Sequence, residues 1–189
     1  REYIWPIAKA PDKIRVAFVG GSTVESHPGS MFESFPELCV ALLNEVAGTN
    51  RYEALNVGCS SYTTHQSLLA VERYVLPRHP DVVVLYDGWN DFSVRDGYSD
   101  REKDFWMRTF TSGTDTNGLA AWVRSLRLAQ LVGLAAQKLD TGWPRPRCNA
   151  REFRANLEKA ARQVAASGAQ PVVLLKPISR TLPVNNWTG

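Results

Sequence analysis

The stretch Ile14-Arg15-Val16-Ala17-Phe18-Val19-Gly20-Gly21-Ser22-Thr23 decides how the rest of the chain is read. Ile14 to Val19 is a short apolar run rich in β-branched residues that stops abruptly at two glycines, the pattern of a buried strand running into a tight turn. Glycine keeps the space above a strand end clear of side chains. Ser22 therefore stands at the carboxyl end of a strand, where open α/β sheets place their ligands. At such a position a serine is either a nucleophile or the cap of the following segment.

Outward from this stretch the chain alternates between strand and helix signals. A polar loop is expected from Ser22 to Ser34, and Ser34-Phe35-Pro36-Glu37 carries a capping pattern for a helix to about Ala47, with Leu38, Ala41, Leu42 and Val46 on its apolar face. Tyr52 to Val57 reads as a second strand closed by Gly58. Thr63 to Gln66 opens a helix that Pro77 ends, and Asp81 to Tyr86 is a third strand of continuous apolar character. A polar excursion studded with aromatics follows over residues 93–118, then an amphipathic helix from Leu119 to Ala136 and a proline-rich connection, Trp143-Pro144-Arg145-Pro146. Asn149 to Glu152 caps a last helix to about Ser167, and Pro171 to Lys176 is a fourth buried strand. Residues 1–13 form an irregular lead-in. This order predicts one α/β domain over residues 1–189, with a parallel sheet, right-handed crossovers and helices on both faces.

Composition excludes several classes. The net charge of +3 is too small, and its basic residues too scattered, to suggest nucleic acid as a partner. Three cysteines, Cys39, Cys59 and Cys148, contain no CxxC pair and suggest neither a disulfide framework nor a zinc site, so no metal is expected. No signal peptide or transmembrane span is legible. Arg1 in place of an initiator Met reads as a start inside a longer gene product.

Three strand ends carry chemistry: Gly21-Ser22, Gly58, and Gly88-Trp89-Asn90-Asp91. Acyl transfer needs a nucleophilic hydroxyl and hydrogen-bond donors aimed at the developing oxyanion. A glycine N–H and an asparagine amide supply such donors, and a parallel sheet brings all three ends to one edge. At this point the sequence resembles the SGNH (GDSL-type) hydrolases. Gly20-Gly21-Ser22-Thr23 is similar to their first block, Asn56-Val57-Gly58-Cys59-Ser60-Ser61-Tyr62-Thr63 to their second, N-x-G-x-S-G-x-T, and Gly88-Trp89-Asn90-Asp91 to their third, G-x-N-D. The resemblance implies a three-layer αβα, flavodoxin-like fold and serine ester hydrolysis without metal or organic cofactor. Carried over by residue, it implies Ser22 as nucleophile and the Ser22 N–H, the Gly58 N–H and the Asn90 side chain as oxyanion donors. Trp89 and the aromatics Phe92, Tyr98, Phe105, Trp106 and Phe110 either wall a pocket for a small-molecule or carbohydrate ester or pack together as a mini-core of the excursion.

The sequence departs from the family pattern in places. Gly21 stands where the family often has Asp, and Ser61 where its second block has Gly. No Asp has His three residues later, so the family's D-x-x-H block is absent, and the histidines are His27, His65 and His79. The fold is accordingly expected to be C-terminally incomplete, without its final strand and helix. An exposed sheet edge should result, with the base supplied by a further stretch of polypeptide or by a second chain. Asp91 is expected to hold its loop by side-chain-to-backbone bonds, and Cys59 to pack as a small apolar residue. The competing reading is a non-catalytic α/β binding or scaffold module that keeps the pocket without the His/Asp dyad. A bacterial, extracytoplasmic location accompanies the esterase reading.

Overall fold

A computed structural model of the chain describes residues 8–26, 34–95, 99–101, 103–104 and 145–174. Strand β1 (Ile14–Gly20) lies in the interior of the sheet because both its faces are apolar; Val16 through Val19 are all buried. Strands β2 (Tyr52–Gly58) and β3 (Val82–Tyr86) flank it, both parallel, with Gly20 opposite Gly58 on one side and Tyr86 on the other. Strand β6 (Gln170–Val173) pairs with β3, completing the order β2-β1-β3-β6. The order reverses between β1 and β3. That is the switch point at which a doubly wound sheet opens a crevice above its carboxyl edge.

Alternation along the strands sorts the helices into two layers. Helix α1 (Ser22–Glu25) and helix α2 (Phe35–Val46) cover one face, where Val16, Phe18, Ala54 and Val84 pack with Val24 and Val40. Helix α3 (Thr64–Ala70) and helix α4 (Ala150–Ala166) cover the other, where Ala17, Val19, Leu55, Val83 and Leu85 meet Leu68, Val71, Val75, Ala160 and Val164. The predicted three-layer α/β arrangement is thus present. Helix α3 runs on through a π-helical turn (Val71–Val75) and a 3-10 turn containing Pro77, and His79 leaves it with φ 47°. Gln66 Oε1 accepts the Thr63 N–H at 2.9 Å, the capping arrangement expected there. Asn149 and Glu152 cap α4 reciprocally, again as expected.

Four sequence expectations need correction. The segment after Gly21 is not loop throughout, since Ser22–Glu25 forms a helical turn closed by Ser26 in a left-handed conformation. Helix α2 faces the other way: Leu38, Leu42 and Val46 are exposed, while Pro36 and Val40 are buried. The reason lies in Asn44, whose Nδ2 donates to Tyr52 O at 3.0 Å while its Oδ1 accepts the Tyr52 N–H at 2.9 Å. Positions 36, 40 and 44 lie on one side of a helix, so fixing Asn44 against β2 turns 38, 42 and 46 outward. Third, part of the proline-rich connection is a strand: β5 (Arg145–Pro146) pairs antiparallel with β4 (Val94–Arg95). Fourth, the last strand lies at Gln170–Val173, set by Gln170 N donating to Asp81 O at 2.8 Å. Tyr98, Phe105, Trp106, Phe110, His27 and the helix proposed over Leu119–Ala136 lie outside the described residues.

Helix α2 yields a test in this chain. Asn44→Ala leaves the Tyr52 N–H and C=O without their partner and should cost about 1–3 kcal/mol of stability. Leu42→Gln should stay within about 0.5 kcal/mol. Denaturant melts check both, and the reverse order of effects would mean that α2 is rotated.

Candidate active site

The carboxyl edge of the sheet is built by backbone approaching backbone. A Cβ on Gly58 would sit 2.3 Å from the Glu25 nitrogen and 2.6 Å from the Val24 carbonyl carbon. Only glycine therefore lets the turn after β1 lie against the end of β2. Asn56 locks that contact: its Nδ2 donates to Val24 O at 3.1 Å and its Oδ1 accepts the Gly58 N–H at 2.9 Å. Cys59 N donates to Gly20 O at 3.0 Å, carrying the pairing of β1 and β2 into the loops.

Ser22 is exposed at the first position of α1. The cap of that turn is Gly21, whose carbonyl accepts from Val24 N and Glu25 N. Ser22 is thus not the cap that the bland reading of a turn serine requires, and its hydroxyl donates to no described residue. The third loop reaches the same spot, because a Cβ on Gly21 would lie 2.8 Å from Asn90 Nδ2 and 3.4 Å from Tyr62 O. Asn90 Nδ2 donates one hydrogen to Tyr62 O at 2.8 Å, which aims the amide beside Ser22 and leaves its second hydrogen unused. The structure therefore brings Ser22, the Asn90 amide and the loop of Gly58 to Tyr62 together.

Gly58 itself enters differently from the sequence reading. Its N–H is already held by Asn56, and its role in the geometry is the close approach to α1. The backbone donors that the loop leaves free are the N–H groups of Ser60 and Ser61, the two central residues of the turn closed by Tyr62 N donating to Cys59 O, and neither donates to a described residue. Ser61 has φ 66°, in the left-handed region that favours glycine. Its place where the family block has Gly was visible in the sequence, but that its N–H is free and the Gly58 N–H is not emerges only in three dimensions.

A buried ionic cluster that sequence reasoning missed stands behind this loop. Arg147 grips Asp100 through Nε to Oδ1 at 3.1 Å and Nη2 to Oδ2 at 2.7 Å. Asp100 Oδ2 also accepts from Thr63 Oγ1 at 2.9 Å and Gln66 Nε2 at 3.0 Å. Burial pushes the Asp100 carboxyl upward, but hydrogen bonds from Arg147, Gln66 and Thr63 outweigh it and hold the group below its ordinary value. An arginine in a proline-rich connection looks like surface, and no periodicity marks it otherwise.

The remaining candidates fall into place. Asp91 is fully buried and its Oδ1 accepts from Thr64 N at 3.0 Å and Thr64 Oγ1 at 2.5 Å, holding the third loop to the start of α3. Burial pushes the Cys59 thiol upward, away from a nucleophilic thiolate, and raises the Cys148 thiol to about 11. Trp89 is exposed on the loop that carries Asn90, and Phe92 packs at 5.5 Å from Phe153. His65 Nε2 lies 3.4 Å from Asp104 Oδ2, and His79 sits before β3 at the opposite edge of the sheet. Among the described residues, no three His, Cys, Asp or Glu side chains group to hold a metal, and no helix is long and apolar enough to cross a membrane.

A parallel sheet in flavodoxin-like order, with a serine, an asparagine amide and a glycine-bearing turn at its carboxyl edge, defines the SGNH-hydrolase fold. The chain belongs to the GDSL-like lipase/acylhydrolase family, whose model matches residues 18–186. Among solved structures it is similar to TesA, with 15% identity, a TM-score of 0.52, and coverage of 87% of this chain and 61% of that one. It is also similar to a catalytic mutant of Axe2, an acetylxylan esterase from Geobacillus stearothermophilus, with 15% identity, a TM-score of 0.51, and coverage of 88% and 61%. At these identities the likeness is one of fold, and the chain spans about three fifths of the length of either structure. No curated protein matches the chain by sequence.

The Asp100 cluster predicts an acid limit to stability. A carboxyl held low in the folded state stabilises fully above its unfolded value, about 3.9, and the contribution is lost as pH falls through the lower folded value. Asp100→Asn should lower the melting temperature near pH 6, because breaking a buried pair costs about 3–5 kcal/mol. The gap to the parent should narrow below about pH 4. Melting curves at pH 3 to 7 test this, and a gap independent of pH would remove Asp100 from the acid response.

Proposed function

We propose that this protein is a serine ester hydrolase acting on small acyl esters, carbohydrate O-acetyl groups among them. The observation that carries the reading is the approach of the Asn90 amide to the Gly21 backbone, within 2.8 Å of where a side chain would begin, immediately beside the exposed hydroxyl of Ser22. A nucleophile and a fixed amide donor so placed suit attack on a carbonyl whose oxygen gains charge. Ser22 Oγ attacks the acyl carbon, and the oxyanion is met by the Ser22 N–H, the Asn90 amide and a backbone donor of the second loop. We assign that donor to the Ser61 N–H, one of the two that the Ser60–Ser61 turn leaves free, in place of Gly58, whose N–H is bound to Asn56. Collapse of the tetrahedral intermediate breaks the ester C–O bond and expels the alcohol, leaving an acyl-Ser22 that water hydrolyses to the free acid and the Ser22 hydroxyl. The acetylxylan esterase named above supports the acetyl-ester substrate class, and the exposed Trp89 offers a flat apolar surface at the rim for the alcohol half.

The proton acceptor is the one part that the described residues leave to a further element. His79 is at the wrong edge of the sheet, and the Nε2 of His65 faces Asp104. Without a base, Ser hydroxyls are weak nucleophiles, and an oxyanion hole alone gives only roughly 10³–10⁴-fold over water. Arg1–Gly189 as an isolated polypeptide should accordingly be nearly inactive on p-nitrophenyl acetate. Wild-type-like turnover by that polypeptide would place one of the histidines in the base role, with His27 the first to mutate.

In the intact protein a fluorophosphonate should label Ser22, and Ser22→Ala should abolish the label. Labelling that survives Ser22→Ala would take Ser22 out of the nucleophile role, and no labelling of the parent would favour the non-catalytic module. Asn90→Ala should lower kcat by about 10²–10³-fold, or 2.7–4 kcal/mol, the usual effect of losing one oxyanion donor. An unchanged kcat would take Asn90 out of the mechanism.

A further inference from the structure

Two loops carry the donors of the proposed oxyanion hole, and one short segment fastens both. The segment Arg145 to Cys148 is tied to the Asn90 loop through backbone: Arg147 N donates to Ser93 O at 3.1 Å and Cys148 N to Asp91 O at 2.9 Å. Asp100 N returns a bond to Arg147 O at 2.8 Å. To the second loop it is tied by a single side chain, since Arg147 Nη1 donates to Ser61 O at 2.7 Å. The guanidinium is itself immobilised by its two bonds to Asp100, in a site where Arg147 is only 8% exposed. The fork geometry of arginine is what allows one group to hold a carboxylate and a carbonyl at once.

The residue held this way is the one that needs holding. Ser61 has φ 66°, a strained conformation for a residue with a side chain that persists only where the surroundings hold it. The next carbonyl, Tyr62 O, is the acceptor that aims the Asn90 amide. Adjacent carbonyls of one strained turn are thus taken by Arg147 and by Asn90, so the position of the turn sets both the Ser61 N–H and the Asn90 Nδ2.

We propose that Arg147, braced by Asp100, is a positioning residue of the oxyanion hole, holding the Ser61–Tyr62 turn so that its free N–H and the Asn90 amide converge beside Ser22. It touches no reacting atom. Its effect falls on the transition state, because donors displaced by a fraction of an ångström still admit substrate but meet the oxyanion poorly. The proposal rests on the esterase reading above.

The test is Arg147→Lys in the intact protein, because a lysine ammonium keeps the charge and cannot span Asp100 and Ser61 O in the same way. With p-nitrophenyl acetate, kcat should fall roughly 10–100-fold, the scale on which misplacing a catalytic group acts. KM should stay within about twofold and the pH profile should be unmoved, because uniform ground-state binding and the titrating groups are untouched. Affinity for benzeneboronic acid, whose tetrahedral adduct places an oxygen in the hole, should fall with kcat. A crystal structure of the variant should show Ser61 out of positive φ or the Asn90–Tyr62 bond broken, a readout that needs no turnover. If Arg147→Lys does not fold, Asp100→Asn, which keeps the arginine and removes its brace, should move kcat the same way when assayed below its own lowered melting temperature. An unaltered Ser61–Tyr62–Asn90 geometry, or a kcat within twofold of the parent while Ser22→Ala is inactive, overturns the proposal. Turnover that survives Ser22→Ala instead overturns Ser22 as the nucleophile of the reading above, and the crystallographic arm still decides the positioning role.

Discussion

Everything at the carboxyl edge of the sheet depends on one close approach, that of the turn after β1 to the end of β2. Glu25 N and Val24 C occupy the volume that any side chain on Gly58 would need. The contact has no attractive term of its own. It is held by Asn56, which bonds Val24 O and the Gly58 N–H at the same time. Because Ser22 leads the same helical turn, the position of its hydroxyl is inherited from a glycine and an asparagine that belong to the neighbouring strand. In the proposed reaction a serine placed by such hard contacts needs little reorganisation when charge develops beside it.

The second loop is held by different physics. Its turn contains a serine at positive φ, so backbone strain has to be opposed by specific bonds. Those bonds come from groups with low exposure: a guanidinium on one carbonyl and an amide on the next. Burying Arg147 and Asp100 is tolerable because each satisfies the other with two bonds, and Thr63 and Gln66 fill the remaining acceptor capacity of the carboxylate. The cluster also joins α3 to the segment between β5 and α4. The hydrogen bond from Arg147 Nη1 to Ser61 O thereby connects the loop after β2 to a part of the chain eighty-six residues away.

The opposite edge of the sheet shows the same economy of means in a structural setting. Arg15 is 3% exposed, yet its Nε binds Glu53 Oε1 at 2.6 Å and an Nη1 bond reaches Arg78 O at 2.6 Å. Asp81 accepts Lys9 Nζ and Arg15 N, fastening the lead-in to the start of β3. Charge is thus buried at both ends of the strands, while their middles are apolar. A parallel sheet covered on both faces leaves polar groups nowhere else to go.

By itself the sequence determined the sheet and the identity of its strand ends. Continuous apolar runs such as Val82 to Tyr86, each cut off by glycine or a capping pattern, are local features, and local features are what periodicity reports. Ser22, the Gly58 loop and Asn90 were legible for the same reason, since each directly follows a strand. Tertiary structure alone decided which groups are available and which way elements face. Asn44 turned α2 so that Leu38, Leu42 and Val46 point outward, because two bonds to Tyr52 outweigh an apolar stripe that nothing among the described residues covers. Asn56 took up the Gly58 N–H, leaving the free donors at Ser60 and Ser61. Arg147 and Asp100 met across forty-seven residues of sequence, a pairing that no local pattern encodes because the attraction exists only once the chain has brought the two charges together.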